Sequence, residues 1–180
     1  MRNLGLLATR VVLGGYLAVH GAQKLFGAFE GPGLDAVSGG FEGMGLRPGR
    51  AMATLAGASE LGGGVLTAAG LADPLGPLAI AGTMVVASAV HRKAGPLSAK
   101  GGYELPLTNL AAAVALIASG PGRFRLGPPL PASLTRLAAI GGVGLAGVSL
   151  AQLLRFQPPV PDESTEASDD ESVEAESASA

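Results

Sequence analysis

The chain has no cysteine and no tryptophan among its 180 residues. Without cysteine there are no disulfides, thiolate zinc sites, cysteine-held iron–sulfur clusters or thiol nucleophiles. Aromatic residues amount to 4%, too few for a base-stacking nucleic-acid surface. Charge is scarce too, at 14%, against about 25% in ordinary globular proteins. What is plentiful is apolar: 48% of residues are hydrophobic, 29 are glycine, and the mean hydropathy is +0.42. The net charge of -2 conceals an asymmetry, because eight of the 14 acids lie after residue 157. The remaining body holds 12 basic and six acidic residues, a net of +6. An apolar, weakly basic body with an acidic tail points away from a soluble enzyme and toward a membrane protein.

Five apolar segments carry that composition: residues 4–20, 51–72, 75–90, 105–119 and 137–154. The first holds one charge, Arg10, the second holds Glu60, and the other three hold none. Helices of about 16–20 residues are roughly 24–30 Å long, close to the thickness of a bilayer core. A soluble bundle would need a polar face on each helix, and the last three segments have none. A cleaved signal peptide is a poor match for the first segment, because Arg10 interrupts its apolar run. Gly and Pro punctuate the connections, as at Gly31-Pro32-Gly33, Ser38-Gly39-Gly40, Asp73-Pro74 and Gly120-Pro121-Gly122. Residues 158–180 consist mainly of Ser, Glu, Ala and Asp and have little to bury, so they read as a disordered acidic tail.

Five spans put the termini on opposite faces. On the amino-terminal side, side A, lie Arg2, Arg123, Arg125 and Arg136. On side B lie Lys24, Arg47, Arg50, Arg92, Lys93, Lys100 and Arg155. The excess predicts a cytoplasmic side B in a multi-pass cell-membrane protein, with loops 24–50 and 91–103 and the tail on that side.

Polar groups inside or at the rim of spans are functional candidates, because lipid penalises them. Arg10 and Glu60 lie on successive antiparallel helices, so an intramembrane pair is expected between them. It would either hold two helices together or carry a proton or substrate. At the side B rim, His20 and Lys24 share a helix face, with Gln23 beside them. His91 ends the third span and Glu104 precedes the fourth. These five residues suit a polar head group, a quinone ring or a small anion, and they equally suit ordinary interfacial positions. No metal site is expected, since no His-x-x-x-His or Glu-x-x-His pair gathers the ligand types. Gly142-Val143-Gly144-Leu145-Ala146-Gly147 matches G-x-G-x-x-G, but it lies inside an apolar run rather than after a strand. Gly142 and Ala146 read instead as a small-residue helix-packing face.

Arg10-Val11-Val12-Leu13-Gly14 followed by His20-Gly21-Ala22-Gln23-Lys24-Leu25-Phe26-Gly27 resembles the opening signature of the DoxX family of small membrane proteins. Glu60-Leu61-Gly62-Gly63-Gly64 resembles its second-helix motif. Gly101-Gly102-Tyr103-Glu104-Leu105 and Gly120-Pro121-Gly122-Arg123-Phe124 resemble the motifs around its fourth helix. The resemblance covers about residues 4–127, and it departs where the family carries an Asp and this chain has Gly127. It implies an all-α membrane protein with a four-helix bundle over residues 1–127. A Pro-rich spacer and a fifth transmembrane helix (128–157) and the tail (158–180) lie outside the family pattern. Arg10, His20, Gln23, Lys24, Glu60 and Glu104 are then motif positions.

Some relatives serve as a subunit of a thiosulfate–quinone oxidoreductase. By that resemblance the expectation is a membrane subunit of a quinone-linked redox complex. Such a subunit has no intrinsic cofactor, has quinone as a possible ligand, and has the lipid bilayer and a redox subunit as partners, with no nucleic acid. A small-solute or proton carrier, and a structural anchor for a soluble partner, are the alternatives.

Overall fold

The computed structural model describes residues 1–156; the acidic tail, 158–180, lies outside the described residues. Six α-helices account for most of them: α1 (Arg2–Phe26), α2 (Gly33–Gly43), α3 (Gly49–Ala69), α4 (Leu75–His91), α5 (Glu104–Ser119) and α6 (Ala132–Arg155). There is no strand among the described residues. The expected segments all form helices, most of them longer than their apolar runs. Thus α1 extends to Phe26 and stops where Gly27 turns left-handed (φ 67°) and donates its N–H to the Gln23 carbonyl at 3.1 Å. Likewise α3 stops on the left-handed Gly70.

The helix that sequence reasoning read as a broken loop is α2. Its glycines disfavour a helix, but tertiary ties hold it against the start of α3. Glu42 Oε1 accepts from the Gly49 N–H at 3.1 Å, satisfying an orphan donor at the α3 amino terminus, and Asp35 pairs with Arg50 at 2.5 Å.

Helices α1, α3, α4 and α5 close a four-membered ring, each packed on its neighbours, with α5 returning to α1. Leu13 and Leu17 of α1, Ile80 and Met84 of α4, and Ala113 and Leu116 of α5 fill its centre. The tightest contact is α1 on α3, where glycines let backbones touch. A Cβ on Gly14 would sit 2.4 Å from the Gly64 carbonyl oxygen, and one on Gly21 would sit 2.3 Å from the Leu61 nitrogen. Gly57 and Gly64 face them from α3, and both pairs are spaced seven residues apart. This is the small-residue seam by which helices approach closely in lipid.

Helix α6 stands outside the ring and packs on α4. The G-x-G-x-x-G run lies within it, in unbroken helix. Its amino-terminal end is tied to the α3–α4 hairpin by the Leu130 N–H donating to the Asp73 carbonyl (2.7 Å). Its carboxyl-terminal end is tied to the α2–α3 loop, where Gln152 donates to the Arg47 carbonyl (2.7 Å) and accepts from the Arg47 N–H (3.1 Å).

The outside of the bundle is apolar as well as the inside. The buried stripe of α1 comprises Arg10, Leu13, Gly14, Leu17 and Gly21, yet Leu4, Val11 and Val12 on its outer face are also apolar and exposed. On α6, Ile140 and Val143 are more than 70% exposed. Helices apolar on both faces need lipid rather than water outside. Three stretches are long and apolar enough to cross a membrane: Arg2–Phe26, Leu75–Ala94 and Ala132–Arg155. Helix α5 is shorter, at 16 residues. Helix α3 carries Arg50, Ser59 and Glu60, and three other helices cover it.

The glycine seam makes a direct prediction. Gly64→Leu should lower bundle stability by about 3 kcal/mol or more, because the obstruction is backbone and cannot swing away. Gly15→Leu, at a position with nothing within 4 Å of a Cβ, should change it by no more than about 0.5 kcal/mol. Helicity followed through a denaturing-detergent titration separates the two.

Candidate functional site

Arg10 and Glu60 do not pair. They sit at different heights of the α1–α3 seam, about 10 Å of helix rise apart on α3. Arg10 lies level with the carboxyl-terminal end of α3, where helix carbonyls lack partners. It is 2% exposed and donates four hydrogen bonds to backbone oxygens. Nε donates to the Thr67 carbonyl at 3.0 Å and Nη2 to the Ala68 carbonyl at 3.1 Å. Nη1 donates to the Phe124 carbonyl at 2.7 Å and to that of Pro121. One side chain thus joins α1, the end of α3 and the α5–α6 connection. The negative end of the α3 dipole favours a cation there. Asp73 and Arg125 stand nearby; burial pushes the Asp73 carboxyl above its ordinary value, opposed by Arg10 and then Arg125.

Glu60 pairs with Lys24 instead. Its side chain is 4% exposed and that of Lys24 is 26% exposed. Gly21 seats α1 against Gly57 and Leu61, which brings the next turn of α1 level with Glu60. His20, one turn back, lies within electrostatic reach of both charges and stacks edge-on against Tyr16, with ring centroids 4.5 Å apart. Sequence reasoning placed His20 and Lys24 on one face, and they do share a neighbourhood.

The other rim candidates divide into local arrangements. Gln23 packs beneath the turn after α1, against Gly31, where a Cβ would lie 2.5 Å from the Gln23 Cβ. Glu104 is exposed and organises its own loop, accepting from the N–H and hydroxyl of Ser98, each at 3.0 Å. The His91 Nδ1 lies 2.7 Å from the Gly101 carbonyl oxygen. A carbonyl only accepts, so Nδ1 carries a proton and donates it there.

Lys24, Glu60 and His91 all line one cavity of about 500 Å³ walled by α3, α4 and α6, with Phe41, Met44 and Leu46 at its side B end. Its lining runs along α4 from Leu75 to His91 and is overwhelmingly apolar. Residues from α6, among them Ala138, Gly142 and Ser149, form the far wall. His20, Gln23 and Glu104 do not line it. Among the described residues, no three His, Asp or Glu side chains stand close enough to hold a metal ion.

A helical bundle that is apolar outside and holds a buried Glu60 is an integral membrane protein. The DoxX family model matches residues 5–92, which span α1 to α4. That match supports DoxX family membership, carried by residues 5–92. No curated protein and no solved structure matches it. The motifs around α5 lie outside the match, as does all of α6.

Two features escaped sequence reasoning: the carbonyl partners of Arg10 and the glycine seam. The seam left a signal in the seven-residue spacing of Gly14 with Gly21 and of Gly57 with Gly64. The Arg10 partners left none, because backbone oxygens carry no side-chain code.

Two outcomes check the site. Lys24→Met should destabilise the protein by about 2 kcal/mol, because it strands a buried carboxylate. Adding Glu60→Gln should restore most of that loss, and a double-mutant cycle reads the coupling. Arg10→Lys keeps the charge but loses the planar fork; it should lower the unfolding midpoint markedly, at a cost of about 3 kcal/mol in backbone hydrogen bonds.

Proposed function

We propose that this protein is a membrane subunit of a quinone-linked redox complex and holds the quinone ring in the α3–α4–α6 cavity. The observation that carries the reading is an apolar cavity of about 500 Å³ with the Lys24–Glu60 pair, its carboxylate buried, in its wall. Such volumes, apolar walls and a few polar groups are typical of small-molecule sites. The residues fit an amphipathic ring. Lys24 would hold a ring oxygen through its ammonium protons. Glu60 keeps that ammonium charged and oriented. His91, with Nδ1 engaged by Gly101, has Nε2 left to take up or hand on a proton. Leu75, Leu78 and Met52 exclude water. A bound quinone would supply the electron-transfer chemistry, and a partner subunit the electrons. In this reading side B is cytoplasmic in the cell membrane, and His20 acts on Lys24 and Glu60 from behind.

One observation favours a second reading. Glu60 is 3% exposed within the bundle, and buried charges in membranes commonly mark proton or solute paths. A carrier would show pH-dependent flux in proteoliposomes that Glu60→Gln removes.

Calorimetric titration of the purified protein with a soluble quinone tests the first reading. Saturable binding should weaken about tenfold in Lys24→Met, roughly 1.4 kcal/mol, and remain as in the wild type in Gln23→Ala. Equal affinity in Lys24→Met would reject this placement of the ring.

A further inference from the structure

The cavity is longer than a ring requires. Its wall follows α4 from Leu75 to His91, about 24 Å of helix. Helix α6 runs parallel to α4 along it. A Cβ on Gly82 would meet the Gly142 carbonyl oxygen at 3.9 Å, and near side B Ala89, Val90 and Lys93 at the α4 end line a smaller recess with Leu153 and Phe156. The Gly82–Gly142 contact sets the register. The register fixes heights. Gly63 of α3 packs against Gly76, Ala79 and Ile80, so Glu60, one turn nearer side B, lies level with the Gly82–Gly142 waist. Ala138 lies one turn, about 6 Å, closer to side A, beside Leu78. From the waist toward side A the lining is Leu75, Leu78, Ala79, Ala138 and Gly141, all without charge. A Cβ on Gly141 or Gly142 would have nothing within 4 Å, so the small residues of α6 face open space rather than a packed neighbour.

We infer that the cavity is a site for a long-chain amphiphile, its polar head at Lys24–Glu60 and its chain running toward side A between α4 and α6, where the small side chain of Ala138 leaves it room to pass toward Leu75. The inference deepens the quinone reading and rests on the same cavity, but it concerns the chain rather than the head. A polyprenyl quinone and an acyl lipid share this chemistry. Helix α6, which lies outside the family match, supplies the wall that makes the chain compartment. Each buried methylene contributes about 0.8 kcal/mol, roughly a fourfold gain in affinity, so selectivity for a chain should be large and should depend on bulk at a defined height.

The experiment measures binding of decyl-ubiquinone, its tail-less parent and dodecanol at one fixed detergent concentration. The proteins are the wild type, Ala138→Leu, Gly142→Leu and Gly144→Leu, each checked for helicity. Gly144 faces away from the cavity, with nothing within 4 Å of a Cβ, and controls for partition into micelles. The expected result is a decyl-to-parent affinity ratio of at least about tenfold in wild type and Gly144→Leu. In Ala138→Leu the ratio should fall to about threefold or less, the loss falling mainly on the decyl compound. Gly142→Leu, at the waist, should weaken both compounds. A ratio near one in wild type, or one unchanged in a folded Ala138→Leu, overturns the inference while leaving tail-less quinone binding free to support the quinone reading. If neither quinone binds but dodecanol does, and Ala138→Leu removes it, the chain site stands and the quinone reading falls. If Gly142→Leu does not fold, Ala138→Leu decides alone.

Discussion

The seam between α1 and α3 sets the geometry of everything else in the molecule. Backbone meets backbone at Gly14, Gly21, Gly57 and Gly64, and neither helix can slide past the other without a collision. In lipid, association gains little from the hydrophobic effect, so close packing and the polar contacts it permits must supply the specificity. The seam supplies both. By fixing height, it places Arg10 against the spent end of α3 and Lys24 against Glu60, two polar contacts of opposite character. The first is a guanidinium donating to four backbone carbonyls. The second is a charge pair that leaves ammonium protons of Lys24 facing a cavity.

The division of labour between the ends of the bundle follows from this. Side A is knotted: Arg10 ties three parts of the chain together, and the α3–α4 hairpin holds the start of α6. The cavity runs along α4 from Leu75 to His91, and α2, resting on the first turn of α3, lines its side B end. Glu42 and Asp35 hold α2 in place, which is how a glycine-rich segment becomes a helix.

Much of this was legible in the sequence, and what was not has physical causes. The helices α1, α3, α4, α5 and α6 were readable because apolar runs end at Gly and Pro, which break helices by backbone sterics alone. Helix α2 was not, because its stability is tertiary and its own residues argue for a loop. The membrane class followed from composition. The pairing of Arg10 with Glu60 was the natural guess for two lone charges on adjacent helices. It fails because height along an antiparallel pair depends on where the glycines seat, which residue counting from loop ends misjudges by more than a turn. His20, Gln23, Lys24, His91 and Glu104 all belong near side B as expected. Which of them share a cavity depended on side-chain direction and on α6, whose position against α4 no local motif announces.

The unequal helix lengths have a consequence for the surrounding bilayer. The apolar run of α5, 105–119, is about 22 Å long, while that of α6, 137–154, is about 27 Å, and the two helices occupy different flanks of α4. A hydrocarbon core near 30 Å suits α6 and exceeds α5. Lipid must thin beside α5, or the whole bundle must tilt toward its short flank. The molecule therefore acts on the membrane as a wedge. Its elastic strain would favour company along the thinned edge, where a neighbouring subunit could stand in place of distorted lipid.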